Sequence, residues 1–374
     1  MRIRGAVLDL AGVSRPYANS RPISVGDLEL DDPGPTEVLL AIEAAGVCHS
    51  DLSVVDGNRP RPLPMLLGHE AAGTVLSVGD QVDDLVAGQR VVLSFLPRCE
   101  DCAACARGGT LPCAEGTRAN TAGELLHHPG RLMRDGRPVR HHLGVSGFAT
   151  HAVVDRASVV AVGADVPPEV AALFGCAVLT GGGAVLNVAA PTPDDDLLVV
   201  GLGGVGMAAL LTAAAIGVRR IVAVDRLPEK LELAKDLGAT ETYTPEQIAA
   251  EGIRARFAIE CAGHPAAFET AFAATAPGGT TVTVGLPAPS ATATLTPLTL
   301  TAEARTVVGS YLGSAVPARD IPRYERMWRE GRLPVEKLIS ARIGLDEINE
   351  AMDHLADGHA VRQVIVFDQR NPES

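Results

Sequence analysis

Positive charge, aromatic side chains and long apolar runs are all scarce in this sequence, and each scarcity excludes something. Its 374 residues hold 32 Lys and Arg against 45 Asp and Glu, a formal net charge of −13. A chain this acidic is not built to grip nucleic acid or an anionic membrane surface. No uninterrupted run of 18 apolar residues occurs, so no transmembrane helix is expected. Residues 1–10 read as a strand and lack a signal peptide's apolar stretch and cleavage site, which points to the cytoplasm. Aromatics make up only 3% of a chain that is 47% hydrophobic, and Ala, Val and Gly dominate, the profile of a soluble globular protein. The length suffices for two domains with well-buried cores.

Seven cysteines are present, unevenly spaced. Cys99, Cys102, Cys105 and Cys113 follow the pattern C-x2-C-x2-C-x7-C. In a reducing compartment such clustering points to metal rather than disulfides. Four thiolates close a tetrahedral site around one zinc with no open position, which makes it structural. An iron–sulfur site is the alternative; a zinc ribbon on nucleic acid conflicts with the acidic balance. Cys261 stands apart and reads as a buried structural thiol.

A second group lies between Gly46 and Glu70. Cys48, His69 and Glu70 are soft and borderline ligands of the kind zinc selects. A catalytic zinc wants three firm protein ligands and an open fourth position, so one ligand must come from elsewhere, and Cys176 is the best candidate. Ser50, two residues after Cys48, is close enough to offer its hydroxyl to whatever binds the open position.

Along the chain, short strand-like runs at 38–42, 73–78 and 90–93 alternate with turns such as Pro33-Gly34-Pro35 and Gly79-Asp80. Residues 1–95 are therefore mostly β. The cysteine lobe follows, then a polar stretch from Ala114 to Arg140 that reads as a long ordered loop, with His127, His128 and His141 as solvated loop histidines. Residues 169–189 look helical and carry Cys176 and Thr180. Strand 197–200 then runs into Gly201-Leu202-Gly203-Gly204-Val205-Gly206, which opens an Ala- and Leu-rich helix. A second strand ends at Asp225, about 20 residues on, completing a dinucleotide fingerprint. Gly201 and Gly203 permit the turn and the approach of a pyrophosphate, while Gly206 lets the helix pack against the sheet. Asp225 can accept from ribose hydroxyls and repels a 2′-phosphate, favouring NAD, although Arg226 could serve NADP. Strands at 257–260 and 281–285, with helical segments between, predict a parallel sheet. After residues 307–311 come a helix near 320–330 and a last strand at 363–367.

Taken together, these motifs resemble the zinc-dependent medium-chain alcohol dehydrogenases over essentially the whole chain, and within them the branch holding the liver-type and thiol-dependent formaldehyde dehydrogenases. The resemblance implies an α/β protein: a GroES-like, mostly-β catalytic domain at 1–177 and 312–374, with the structural-zinc lobe at about 96–115, and an inserted Rossmann NAD-binding domain at 178–311. It puts a catalytic zinc on Cys48, His69 and Cys176, with Glu70 as an alternative ligand, so two zincs per chain. Asp51 matches the carboxylate that steadies the His69 imidazole, and Ser50 the hydroxyl that takes the substrate proton. His49 and Arg362 match contacts to the cofactor pyrophosphate, and Lys230 a contact to the adenosine ribose. Thr180, Val205, Val284 and Leu286 match the rest for the nicotinamide half. Phe95 and Leu143 match pocket walls, and His142 stands where some relatives carry an aromatic. The implied reaction is reversible oxidation of a primary or aromatic alcohol to the aldehyde with NAD. A homodimer or homotetramer joined through Rossmann sheet edges near 300–312 is implied too.

Two departures stand out. Ser53 occupies the position of the histidine that ends the liver-type proton relay. Asn58-Arg59-Pro60-Arg61 replaces the acidic loop of thiol-dependent formaldehyde dehydrogenases, weakening the alternative of a glutathione or mycothiol adduct as substrate.

Overall fold

The strand Glu37–Val47 is buried almost throughout because it takes partners on both edges. The computed structural model describes residues 1–367. The chain forms two units: Met1–Cys176 with Val316–Glu325 and the described residues from Ile339 on, and Ala177–Ala315 with Arg326–Leu338. Residues 326–338, assigned from sequence to the catalytic domain, group instead with the second unit. Their apolar side chains Met327, Leu333, Val335 and Leu338 are buried, and Arg332 Nη1 donates to the Ala215 carbonyl of that unit.

Among the described residues, the first unit holds a closed barrel and a seven-stranded sheet. The barrel strands are Arg2–Leu8, Ile23–Leu30, Leu132–Arg134, Arg137–His141 and Met65–Leu66. Ile3, Val7, Leu28, Leu30, Leu66, Leu125 and Val139 form a core there, each fully buried aliphatic chain contributing about 1.5–3 kcal/mol. In the sheet, Glu37–Val47 pairs antiparallel with Glu70–Val78, with Gly46 opposite Glu70. Arg362–Val366 lies on the same strand, with Gln363 opposite Val47. Antiparallel register thus brings the end of one strand (Cys48), the start of another (His69, Glu70) and Arg362 to one place.

Residues 114–140 are not a loop. They contain the helix Ala114–Ala122 and the hairpin of Leu132–Arg134 and Arg137–His141. Cys113 Sγ accepts the Gly116 N–H at the helix start, and Gly123, at φ 70°, stops it in the left-handed region. The hairpin turns at Asp135-Gly136, both with positive φ, the two-residue geometry that matches strand twist. His141 is consequently a strand residue, buried, and not solvated. His127 remains exposed, 2.7 Å from Asp155 Oδ2.

The second unit carries a six-stranded parallel sheet in the order Glu241–Tyr243, Arg220–Val224, Asp196–Val200, Ala255–Glu260, Thr275–Thr283, Thr306–Gly309. Strand order reverses between Asp196–Val200 and Ala255–Glu260, and at such a switch point ligands bind beyond the carboxyl ends of the strands. Thr306–Gly309 is an edge strand. The helical segment Pro168–Ala189 is long and apolar enough to cross a membrane, but 89% of its most apolar 18-residue window lies buried inside the protein. A helix apolar on every side is also what a protein core requires.

Candidate active site

Cys48 ends the strand Glu37–Val47 and precedes the helix His49–Val55. Asp51, in that helix's first turn, folds back so that its Oδ2 accepts the Cys48 N–H at 3.0 Å. Its Oδ1 accepts the Gly68 N–H at 3.2 Å and lies 3.1 Å from His69 Nδ1. A carboxylate only accepts, so His69 carries its proton on Nδ1 and turns the Nε2 lone pair the other way. There Nε2 is 3.3 Å from Cys176 Sγ. The ligand atoms of Cys48, His69 and Cys176 all lie within 4.8 Å of one another, and all three residues are buried. Cys176 reaches this point from a π-helical turn, Phe174–Val178, in the long helical segment. Gly175 has no room for a Cβ, which would come 2.1 Å from the Leu93 carbonyl.

Electrostatics fit a cation at this point. The Cys48 thiol is held well below its usual value because the Cys176 thiol hydrogen-bonds to it, against the opposing effect of burial. The same bond, with burial, drives Cys176 well above. One thiolate thus forms readily and the second needs a positive charge beside it. Burial pushes the Glu70 carboxyl up to about 7, against the pull of Arg362. Neither Glu70 oxygen has a hydrogen-bond partner, and Arg362 Nε lies 3.5 Å from Oε1. Burial works against the Asp51 carboxylate, but the two imidazoles beside it, His69 and His142, together outweigh burial and bring the group to about 2. Two thiols, an imidazole oriented by a carboxylate, and an unpaired carboxyl form the donor set that zinc prefers.

Around these groups stand the predicted pocket residues. The His69 ring is met edge-on by Phe95 at 5.3 Å and by His142 at 5.5 Å. His142 Nδ1 lies 3.0 Å from Asp51 Oδ1 but out of line for a hydrogen bond. His142, standing where some relatives carry an aromatic, thus lies against the carboxylate behind His69. Leu143 is buried with φ 53°. Ser50 is half-buried and His49 exposed on the helix His49–Val55. Arg362 is buried, donating Nη1–H to the Val47 carbonyl at 3.0 Å. Its contacts are thus with the strand end and Glu70. Ser53 Oγ donates to the His49 carbonyl at 2.7 Å.

The four-cysteine lobe gathers as its spacing suggests. The sulfurs of Cys99, Cys102, Cys105 and Cys113 all lie within 4.8 Å of one another. Cys102 and Cys113 are 4.0 Å apart, close to the ~3.8 Å edge of a tetrahedron with Zn–S bonds of about 2.3 Å. Cys113 Sγ accepts the N–H groups of Cys99 and Gly116 at 3.4 and 3.3 Å. No disulfide forms among the described residues; all seven cysteines are free. Cys261 has its thiol pushed well up by burial.

In the second unit, Gly201 sits at φ 89°, and a Cβ on Gly206 would come 1.9 Å from the Gly201 carbonyl. At Gly203, the N-cap of the helix Gly204–Ala215, a Cβ would meet nothing within 4 Å. A side chain at Gly203 would thus meet no neighbour, and the first N–H groups of the helix, which have no intrahelical partner, lie at a positive dipole end suited to a pyrophosphate. Asp225 is anchored: Oδ2 accepts the Leu202 N–H at 2.7 Å and Oδ1 the Leu227 N–H at 3.0 Å. Lys230, Leu202, Thr180 and Val284 are buried, Val205 half-buried and Leu286 exposed. Burial lowers the Lys230 ammonium despite the attraction of Asp225.

Comparison with known proteins agrees with both halves of this geometry. Residues 34–164 match the alcohol dehydrogenase GroES-like domain, and residues 204–330 the zinc-binding dehydrogenase domain. The chain is 38% identical to a geraniol dehydrogenase of Castellaniella defragrans, over 92% of this chain and 95% of that protein. It is 35% identical to alcohol dehydrogenase B of Mycobacterium tuberculosis, over 98% and 99%. The crystal structure of benzyl alcohol dehydrogenase from Acinetobacter calcoaceticus superposes with a TM-score of 0.89 at 31% identity, covering 98% of this chain and 100% of that one. With a sulfur–imidazole site in a GroES-like unit and a glycine-rich turn on a parallel sheet, the chain belongs to the zinc-binding alcohol dehydrogenase family.

Proposed function

We propose that this enzyme oxidises primary or aromatic alcohols to aldehydes, reversibly, with NAD as hydride acceptor. The observation that carries the reading is the buried convergence of Cys48, His69 and Cys176, with Asp51 locking the His69 tautomer. These three residues, with Glu70 as an alternative ligand, would hold a zinc, which would supply Lewis-acid polarisation of the alcohol oxygen. Gly201–Gly206 and Asp225 would hold NAD, which would supply the hydride acceptor. Ser50 takes the alcohol proton. Asp51 keeps His69 oriented, and the burial of Phe95, His142 and Leu143 keeps water from the reacting carbon. Arg362 balances the charge of Glu70, and the second, four-cysteine zinc site stabilises the fold.

Substrate class draws support from the relatives named for geraniol and benzyl alcohol. Assignment to the liver-type branch rests on the four-cysteine lobe and the long segment before Gly144. A thiol adduct of formaldehyde is not favoured, since Arg59 and Arg61 stand where acidic residues would be needed. We infer a homodimer or homotetramer through the edge strand Thr306–Gly309, next to the helix Pro297–Ala302, which buries none of its residues. Free cysteines gathered into ligand groups support a cytoplasmic location. The test is a spectrophotometric screen of aliphatic, allylic and benzylic alcohols with NAD and NADP. Turnover of none of them, or turnover of formaldehyde only when a small thiol is added, overturns the reading.

A further inference from the structure

The helix Ala114–Ala122 buries one face, made of Gly116, Ala119 and Asn120. Positions four apart share a helix face, and here both grip the same short segment. Gly116 packs so close to the Pro97 carbonyl that a Cβ would come within 2.3 Å of it. One turn on, Asn120 Nδ2 donates to the Phe95 carbonyl at 2.7 Å. Phe95 lies just past the strand Arg90–Leu93, in irregular backbone. Its ring is the one that stands edge-on to His69.

The two ends of this arrangement belong to the cysteine lobe. Cys99 is four residues after Phe95, and Cys113 caps the helix that carries Asn120, its sulfur also accepting the Cys99 N–H. Asn120 Oδ1, in contrast, is buried without a partner. An unpaired buried carbonyl is a cost that leucine would avoid. What asparagine contributes is the directed N–H at Phe95.

We propose that Asn120 is a positioning residue that transmits the order of the four-cysteine lobe to the alcohol pocket by fixing Phe95 against His69. The inference rests on the reading of His69 as a ligand and Phe95 as a pocket wall. The lobe is then part of substrate selection as well as of stability.

Asn120→Leu removes the donor at similar size, and Asn120→Ala does so without added bulk, should the first variant fold poorly. Two readouts are taken on zinc-replete enzyme: the ratio of kcat/KM for benzyl alcohol over ethanol, and the fluorine spectrum of protein labelled with 4-fluorophenylalanine. The Phe95 resonance is identified by its loss in Phe95→Leu. Both Asn120 variants are expected to shift that resonance and to change the substrate ratio on the order of tenfold, as small misplacements at a reacting centre do. In the double variant Asn120→Leu/Phe95→Leu the ratio should equal that of Phe95→Leu alone, the signature of action through one residue. An unmoved Phe95 resonance, an unmoved ratio, or effects that multiply in the double variant overturns the proposal. Failure of the underlying reading is distinct: His69→Ala would then leave turnover intact, or Phe95→Leu would leave the ratio unchanged.

Discussion

Acid should unfold this protein through His141. The ring is buried; its Nε2 accepts the Arg131 N–H at 3.0 Å, and its Nδ1 has no partner. Because Nε2 accepts, protonation must break that bond and bury a charge. Burial first, then the nearby His128 and Arg131 charges, lowers the group from 6.5 to about 3. In the unfolded chain the ring titrates near 6.5, so below that pH the unfolded state binds the extra proton. The neutral ring's contribution is complete above about pH 6.5 and is lost as pH falls toward about 3. Between pH 7 and pH 5 the loss is about 2 kcal/mol, a large part of a net stability of roughly 5–15 kcal/mol. The control is His141→Gln, which keeps an acceptor for Arg131 and does not titrate. Urea unfolding followed by circular dichroism should show wild type losing about 2 kcal/mol more than the variant over that interval. Parallel pH profiles would refute the reasoning.

Further outcomes follow from the site. Asp51→Asn must turn an amide N–H toward the Cys48, Gly68 or His69 donor, so zinc affinity measured by chelator competition should fall about 10–100-fold. Ser50→Ala should cost about 10²–10⁴-fold in turnover, whereas Ser53→Ala should cost little, because the Ser53 hydroxyl is committed to the His49 carbonyl; equal losses would make Ser53 a proton carrier. Asp225→Ser should narrow the preference for NAD over NADP in kcat/KM. It should also lower the melting temperature of the cofactor-free enzyme, because the N–H groups of Leu202 and Leu227 lose their acceptor. Elemental analysis should find two zincs per chain, and Cys102→Ser should lose one and destabilise the fold; iron in place of zinc would defeat the two-site reading.

Much of the site is legible because its chemistry is written in short motifs. Four cysteines within fifteen positions, and a glycine-rich turn between a strand and a helix, each state a local geometry that the chain adopts without help from distant residues. Where local signals competed, legibility fell. The polar stretch 114–140 hides a helix whose start is set by Cys113 and a hairpin marked by Asp135-Gly136, a turn signal masked by the surrounding arginines. His141 looked solvated for the same reason, although alternation along Arg137–His141 turns it inward. Nothing local distinguishes residues 326–338 as part of the second unit, since membership depends on what buries Met327 and Leu333.

Which residues can bind metal and dinucleotide follows from the chain alone, because ligand chemistry and the freedom of glycine belong to single residues and short spacings. How those groups act together depends on tertiary packing. Strand register set Gly46 against Glu70 and Gln363 against Val47, which carried Arg362 to the carboxyl of Glu70. A helical turn brought Cys176 to His69 across 107 positions. Asp51, placed between the Cys48 amide, the Gly68 amide and the His69 ring, then selected the tautomer that leaves Nε2 for a metal. Contacts of this kind arise from packing over long separations, and no short-range pattern in the chain encodes their angles.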